Sequence, residues 1–203
     1  MKNRYCIFIV FLFLLSCQSD SKKKTVECVS IKELTKLEQL YLLPFDSIIN
    51  VCDLSNDSIV NFPDLSAYSI KTLDLSGNLL DTIIPHFLPK KLESLNLSHN
   101  QYSGWLKIEK NSFSTLKELN ISYNKLKRIY VSDPLYRIIL CYNDLTDVDI
   151  NHKNIQYLDI SYNSNMSERV TFNPTMIDTI IREGIANGKP LISPNQPFII
   201  YSE

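Results

Sequence analysis

One eleven-residue frame, repeated along the middle of the chain, restricts the fold more than any other feature. Residues 70–80, IKTLDLSGNLL, carry apolar side chains at the first, fourth, sixth and eleventh positions and Asn at the ninth. The frame recurs as Leu92, Leu95, Leu97 and Asn100, then as Leu116, Leu119, Ile121 and Asn124. It continues with Leu135, Ile138, Leu140 and Asn143, and with Ile155, Leu158, Ile160 and Asn163. A weaker copy comes first, with Ile49, Cys52, Leu54 and, in the Asn slot, Asp57. Successive ninth positions lie 21, 22, 24, 19 and 20 residues apart.

The physics of such a frame is restrictive. Side chains alternate along a strand, so the fourth and sixth positions point to one side. A strand this short cannot stand alone, and the copies must stack to share one core. The ninth Asn has both a donor and an acceptor to offer backbone groups left unpaired where the chain leaves the strand. Asp57, when ionised, can only accept, which predicts that the first copy is the least regular. Amphipathic strands of an ordinary sandwich have no reason to repeat Asn in phase.

The pattern LxxLxLxxN with a period near twenty resembles the leucine-rich repeat over residues 49–165. The resemblance implies an α/β solenoid with short parallel strands on the concave face, irregular convex segments and helical caps at both ends. Phe87-Leu88-Pro89 before Leu92 resembles the short bacterial form of the repeat, and Asn100 to Gly104 the N-x-L-x-G run of the 24-residue plant type. Trp105, just beyond, is expected to pack under the longer loop that follows.

Both ends of the array carry helix signals. Ser30 and Glu33 have capping-box spacing, with Val29 and Leu34 placed as a staple. Leu34, Leu37, Leu40 and Tyr41 follow at helical spacing until Pro44, which predicts an N-terminal cap within residues 28–48. After Asn163 the frame fails. Asn173-Pro174 reads as a helix start, Met176, Ile177, Ile180, Ile181 and Ile185 as its apolar face, and Asn187-Gly188 as its stop. With the apolar run from Phe198 to Tyr201 as a final strand or flap, residues 169–203 read as a C-terminal cap.

Residues 1–16 have the layout of a signal peptide: Lys2 and Arg4, then an apolar run too short to span a membrane comfortably. Leu14-Leu15-Ser16-Cys17 resembles the bacterial lipoprotein signal. That resemblance implies lipid on Cys17, a flexible tether over residues 17–27 and a place in the cell envelope at the outer membrane, on either its periplasmic or its outer side. Asp-Ser/Thr-apolar triplets at Asp46, Asp57, Asp81 and Asp178 resemble O-glycan acceptors in envelope proteins of Bacteroides-like bacteria. Cys28 and Cys52 can form a disulfide in such a compartment, or Cys52 can fill a core slot as a thiol. Membrane contact is expected through the N-terminal lipid only.

With 21 basic and 22 acidic side chains, the chain carries no electrostatic footprint for nucleic acid. Three scattered His residues, four Gly in total and no HExxH, GxSxG or phosphate-cradling loop argue against an enzyme, a metal site or a cofactor. Cys141 is the sole nucleophile worth naming, with no His in the same frame. A non-enzymatic binding module remains, using the concave face.

On that face the fifth and seventh positions largely restate the repeat itself: Asp53, Asp74, Asn96, Asn120, Ile139 and Asp159, then Ser55, Ser76, Ser98, Ser122, Cys141 and Ser161. The eighth column differs, running Asn56, Gly77, His99, Tyr123, Tyr142 and Tyr162. Tyr136 and Tyr157 stand at second and third positions of the last two copies, with Arg137 and Asp159 nearby. Tyrosine is amphipathic and common at interfaces. Tyr123, Tyr136, Arg137, Tyr142, Tyr157, Asp159 and Tyr162 therefore form the candidate patch for a protein or peptide, with a glycan, or a passive scaffold role without a ligand, as the alternatives.

Overall fold

The computed structural model describes residues 33–151, 155–166, 170–172 and 179–181. The frame segments form strands β1 (Ile48–Asp53), β2 (Ser69–Asp74), β3 (Ser94–Asn96), β5 (Glu118–Asn120), β7 (Arg137–Ile139) and β9 (Tyr157–Asp159). They lie side by side in chain order in one parallel sheet, which β11 (Thr179–Ile181) extends to seven strands. Register repeats the frame. Cys52 faces Leu73, Leu73 faces Leu95, and the fourth-position row continues through Leu119, Ile138 and Leu158 to Ile180. The sixth-position row, Leu54, Leu75, Leu97, Ile121, Leu140 and Ile160, is at most 1% exposed and forms the spine of the core.

The ninth-position Asn residues join neighbouring turns as their chemistry predicts. In Asn78, Asn100, Asn124, Asn143 and Asn163 the amide nitrogen donates to the sixth-position carbonyls of its own copy and of the preceding one. The amide oxygen accepts from the eleventh-position N–H of the preceding copy: Ile59, Leu80, Tyr102, Leu126 and Leu145. Every one of these Asn residues is buried. The side chain thus replaces the backbone partners that the turning chain has lost.

Asp57, unable to donate, is used differently. Its two oxygens accept from the Lys36 and Leu37 N–H groups, both at 2.8 Å, in the first turn of helix α1 (Lys36–Tyr41). An anion at a helix start is favoured by the unpaired amides and the helix dipole. The substitution that weakens the first copy therefore holds α1 against it, and Leu40 enters the core beside Tyr68, whose hydroxyl donates to the Leu40 carbonyl.

Three expectations need correction. The helix is capped by Thr35 with Glu38, a complete capping box five residues further along than Ser30 and Glu33. Ser30 lies outside the described residues, while Glu33 and Leu34 precede the helix. Both spacings satisfy the same rule, and the later one wins because it delivers the first-turn amides to Asp57. At the other end, Ile180 and Ile181 belong to a strand and not to a helix. Ile177 and Ile180 are three apart, which suits the first and fourth frame positions as well as a helix face, and the open edge of β9 favours the β-branched residues as another rung. The rest of that expected helix, and residues 198–201, lie outside the described residues. Instead of helical caps at both ends, the described residues hold one six-residue α-helix.

The third correction concerns the return segments. Beyond the frame sheet, β4 (Ser103–Ile108), β6 (Lys125–Val131), β8 (Asp147–Ile150) and β10 (Val170–Phe172) form a second parallel sheet in the order β10-β8-β6-β4. The returns of copies three to five alternate with period two, except for a register shift at Lys127 in β6, and bury Ile108, Leu126, Ile129, Val131, Val148 and Ile150. Trp105, on the opposite face of β4, is 64% exposed and is not tucked under a loop. The two earlier returns contain Pro63, Pro85 and Pro89 and reach only a short 3-10 turn, Pro85–Phe87. Proline removes ladder donors and stops the second sheet at β4.

Candidate binding surface

The outward face of the frame sheet is built from the odd frame positions. At the fifth position, Asp53, Asp74, Asn96, Asn120 and Asp159 accept from the N–H of the seventh residue, two further on. Asp53, Asn120 and Asp159 also accept from the seventh-position Ser hydroxyl. These are Asx turns that end each strand. Asp53 shows the electrostatic result: bonds from Ser55, then from Lys36, hold its carboxyl down at about 2. Asp159 is engaged in the same way through Oδ1, so it belongs to the framework.

The turn carries the eighth residue into the left-handed region. Asn56, His99, Tyr123, Tyr142 and Tyr162 have φ between 53 and 55°, and Gly77 has 66°. Such a backbone costs a non-glycine residue roughly 1–2 kcal/mol. Each of the first five eighth-position amides donates to the seventh-position carbonyl of the next copy, extending the ladder into the turn. Identical backbones at strand spacing then place the side chains in parallel. His99, Tyr123, Tyr142 and Tyr162 form one continuous stack, with ring centroids 4.2, 4.3 and 4.3 Å apart and planes within 12° of parallel. Stacked pairs are worth about 0.5–1.5 kcal/mol each beyond area burial, enough to offset much of the backbone strain.

The stack remains 37–43% exposed at its three tyrosines. Their faces are covered by one another, so the surface they present is a row of ring edges and hydroxyls. Burial, and then the neighbouring Tyr142, push the Tyr123 phenol above its ordinary range.

The other candidate residues separate into distinct places. Arg137 and Tyr157 meet in mid-sheet, the guanidinium 4.0 Å from the ring centroid, a cation–π contact that frame reading did not foresee. Tyr136, at the second position, belongs to the opposite end of the strands from the stack. There it shares a shallow depression with Lys71, Lys91, Glu93 and Lys117, in which Lys117 and Glu93 pair at 2.7 Å. The second column of the frame, with Lys71, Glu93, Lys117 and Tyr136, carries the signal for that depression.

Cys141 is half-buried, and burial, followed by the Asp159 carboxylate, raises its thiol to about 11. Since the thiolate is the nucleophile, this cysteine is nearly inert at neutral pH. Cys52 is a buried free thiol, also raised to about 11, chiefly by burial; its expected partner Cys28 lies outside the described residues. Asp133, missed in the sequence, is a buried carboxylate that accepts from the Asn111 and Phe113 amides and holds the turn after β4. Of the triplets resembling glycan acceptors, Ser58 and Thr82 are exposed and Ser47 is half-buried. Among the described residues, no group of three or more His, Cys, Asp or Glu is placed to hold a metal ion. No helix among them is long and apolar enough to cross a membrane. The expected signal peptide, Cys17 and the expected tether lie outside them.

The family model described as Leucine Rich Repeat matches residues 69–90, the second copy and its return. Match and parallel-strand solenoid together support a leucine-rich repeat protein. No curated protein matches the chain. Leucine-rich repeat solenoids are commonly non-enzymatic protein-binding scaffolds, and their open sheet face is the surface such arrays offer.

Proposed function

We propose that this leucine-rich repeat protein captures a protein or peptide segment on the outward face of its frame sheet, anchored along the aromatic stack. The observation that carries this reading is the stack itself: four rings over four consecutive copies, aligned and still exposed at the surface. Seven strands span about 30 Å at ordinary strand spacing, the length of an extended segment of about nine residues. Rigid tyrosine edges and hydroxyls suit a ligand with both apolar side chains and backbone acceptors. A glycan is the weaker reading, because sugars stack on aromatic faces and, apart from the two ends of the stack, these faces are turned toward each other.

The lipoprotein-like signal supports a place in the cell envelope, with Cys17 as a lipid tether at the outer membrane. Cys17→Ala is expected to move the protein from the membrane to the soluble fraction and to remove the lipid mass from its N-terminal peptide. Unchanged partition and mass would refute the anchor.

The binding reading is tested by selecting displayed peptides on the protein in parallel with a glycan array. A variant with Tyr123, Tyr142 and Tyr162 all changed to Ala, checked for folding by circular dichroism, is the control. Peptides retained by the native protein and lost by the folded variant support the reading. Selected peptides that bind both equally refute the stack as anchor, and glycan binding without peptide binding would favour the other ligand class.

A further inference from the structure

The aromatic stack has a missing rung. The eighth column is continuous in backbone geometry through Asn56, Gly77 and His99, but Gly77 supplies no side chain. His99 stacks on Tyr123 with one face, at 4.2 Å; among the described residues no second ring stacks on it, and the next rung of the column is Gly77. Where a Gly77 Cβ would stand, the three nearest atoms all belong to the Asn56 amide, whose Oδ1 is 2.2 Å from that point. Asn56 is exposed, and among the described residues its side chain makes no hydrogen bond, so the amide is a displaceable filler at the root of the rung. A wall of one ring and a floor of one amide define a slot one ring thick.

The chain itself shows what fits there. On the other side of His99 the equivalent space holds a tyrosine ring, and the same spacing repeats twice more down the stack. We infer that the Gly77 rung takes an aromatic side chain of the bound peptide, which displaces the Asn56 amide and stacks on the free face of His99. The inference rests on the peptide reading above and specifies its ligand: a segment lying along the stack with a Tyr, Trp or Phe at the end nearest the first copies. A ligand ring inserted here extends the stack from four rings to five and covers the His99 face on which no ring of the described residues stacks.

The test uses N-acetyl-tryptophanamide as probe and N-acetyl-leucinamide as control, observed through the imidazole protons of His99, with His86 and His152 as internal references. A saturable upfield shift confined to His99, given by the tryptophan probe alone, is expected. Gly77→Tyr fills the rung with the protein's own ring and should weaken the response about tenfold, the upper reach of one stacked pair. His99→Ala, at an exposed position, removes the wall and should weaken saturation transfer to the probe by a similar factor, which keeps the inference testable should G77Y fail to fold. Absence of a saturable His99 shift in the native protein, or unchanged probe binding in folded variants, overturns it. Selected peptides that need the three tyrosines but bind G77Y as well as the native protein overturn the slot and leave the peptide reading standing. A specific His99 response with no selected peptide does the reverse.

Discussion

Copies one and two differ from copies three to six on both faces of the molecule. The first two have Asn56 and Gly77 in the eighth column and proline-bearing returns without a second sheet. The last four carry the stacked rings on one side and β4, β6, β8 and β10 on the other. The frame strands pair in register from β1 to β11, although β1 and β2 run six residues and the later ones three. A common core therefore tolerates two kinds of surface. What distinguishes the halves is decided at positions the core does not constrain: a proline that removes a ladder donor, or a ring that finds a ring one strand away.

The sharpest way to break the comparison is to give a later copy the acceptor-only residue of the first. Asn124→Asp would leave the Leu97 and Ile121 carbonyls without their donor and bury an unpaired charge, costing about 3–5 kcal/mol. Asp57→Asn, which leaves one acceptor oxygen for the α1 amides, should cost only about 1–2 kcal/mol. Urea unfolding followed by circular dichroism measures both, and equal losses would deny that the two positions do different work.

Next in size is the second sheet. Ile129→Pro in β6 removes a buried side chain and a ladder donor between two partner strands, and should cost about 3 kcal/mol or more. Proline at Ile83, in a return that already lacks ladder pairing, should cost clearly less by the same measurement.

Tyr142→Ala opens the middle of the stack and loses two ring contacts, about 1–3 kcal/mol. Tyr142→Gly should lose less than the Ala variant, because it also relieves the left-handed backbone. Near-ultraviolet circular dichroism should show the loss of coupled tyrosines in both, and an identical stability for Ala and Gly would mean that the turn is unstrained.

The smallest effect is electrostatic. Asp53 has its pKa lowered from 3.8 to about 2, so the stabilisation by its partners is present above pH 4 and disappears as pH falls toward 2. The group is largely solvent-exposed, which keeps the effect small. Asp53→Asn should flatten the acid limb of the stability profile slightly, and an unchanged limb would show that Ser55 and Lys36 contribute nothing measurable.

Much of the frame could be read without coordinates. The inward rows, the buried Asn residues and the different use of the ninth position in the first copy follow from spacing and from the donor and acceptor counts of Asn and Asp. The eighth-column tyrosines were visible as a column, but their stacking was not, because it depends on a left-handed turn repeated in register. Arg137 and Tyr157 are adjacent only across strands. Trp105 was misplaced because a longer unit suggests a loop, whereas alternation from Leu106 to Ile108 makes it a strand with Trp105 outside. Ile177 and Ile180 satisfy a helix and the frame equally, and local spacing has no means of choosing.

By itself the sequence determined the repeat, its period, the core rows and the polar bridges between turns, since each depends on side-chain type at fixed separation along one chain. Tertiary structure decided the second sheet, the seventh rung, the capping box that is used and the aromatic stack. Each of those depends on which neighbour the stacked copies bring within reach: an open strand edge, a free carboxylate or a parallel ring one strand away.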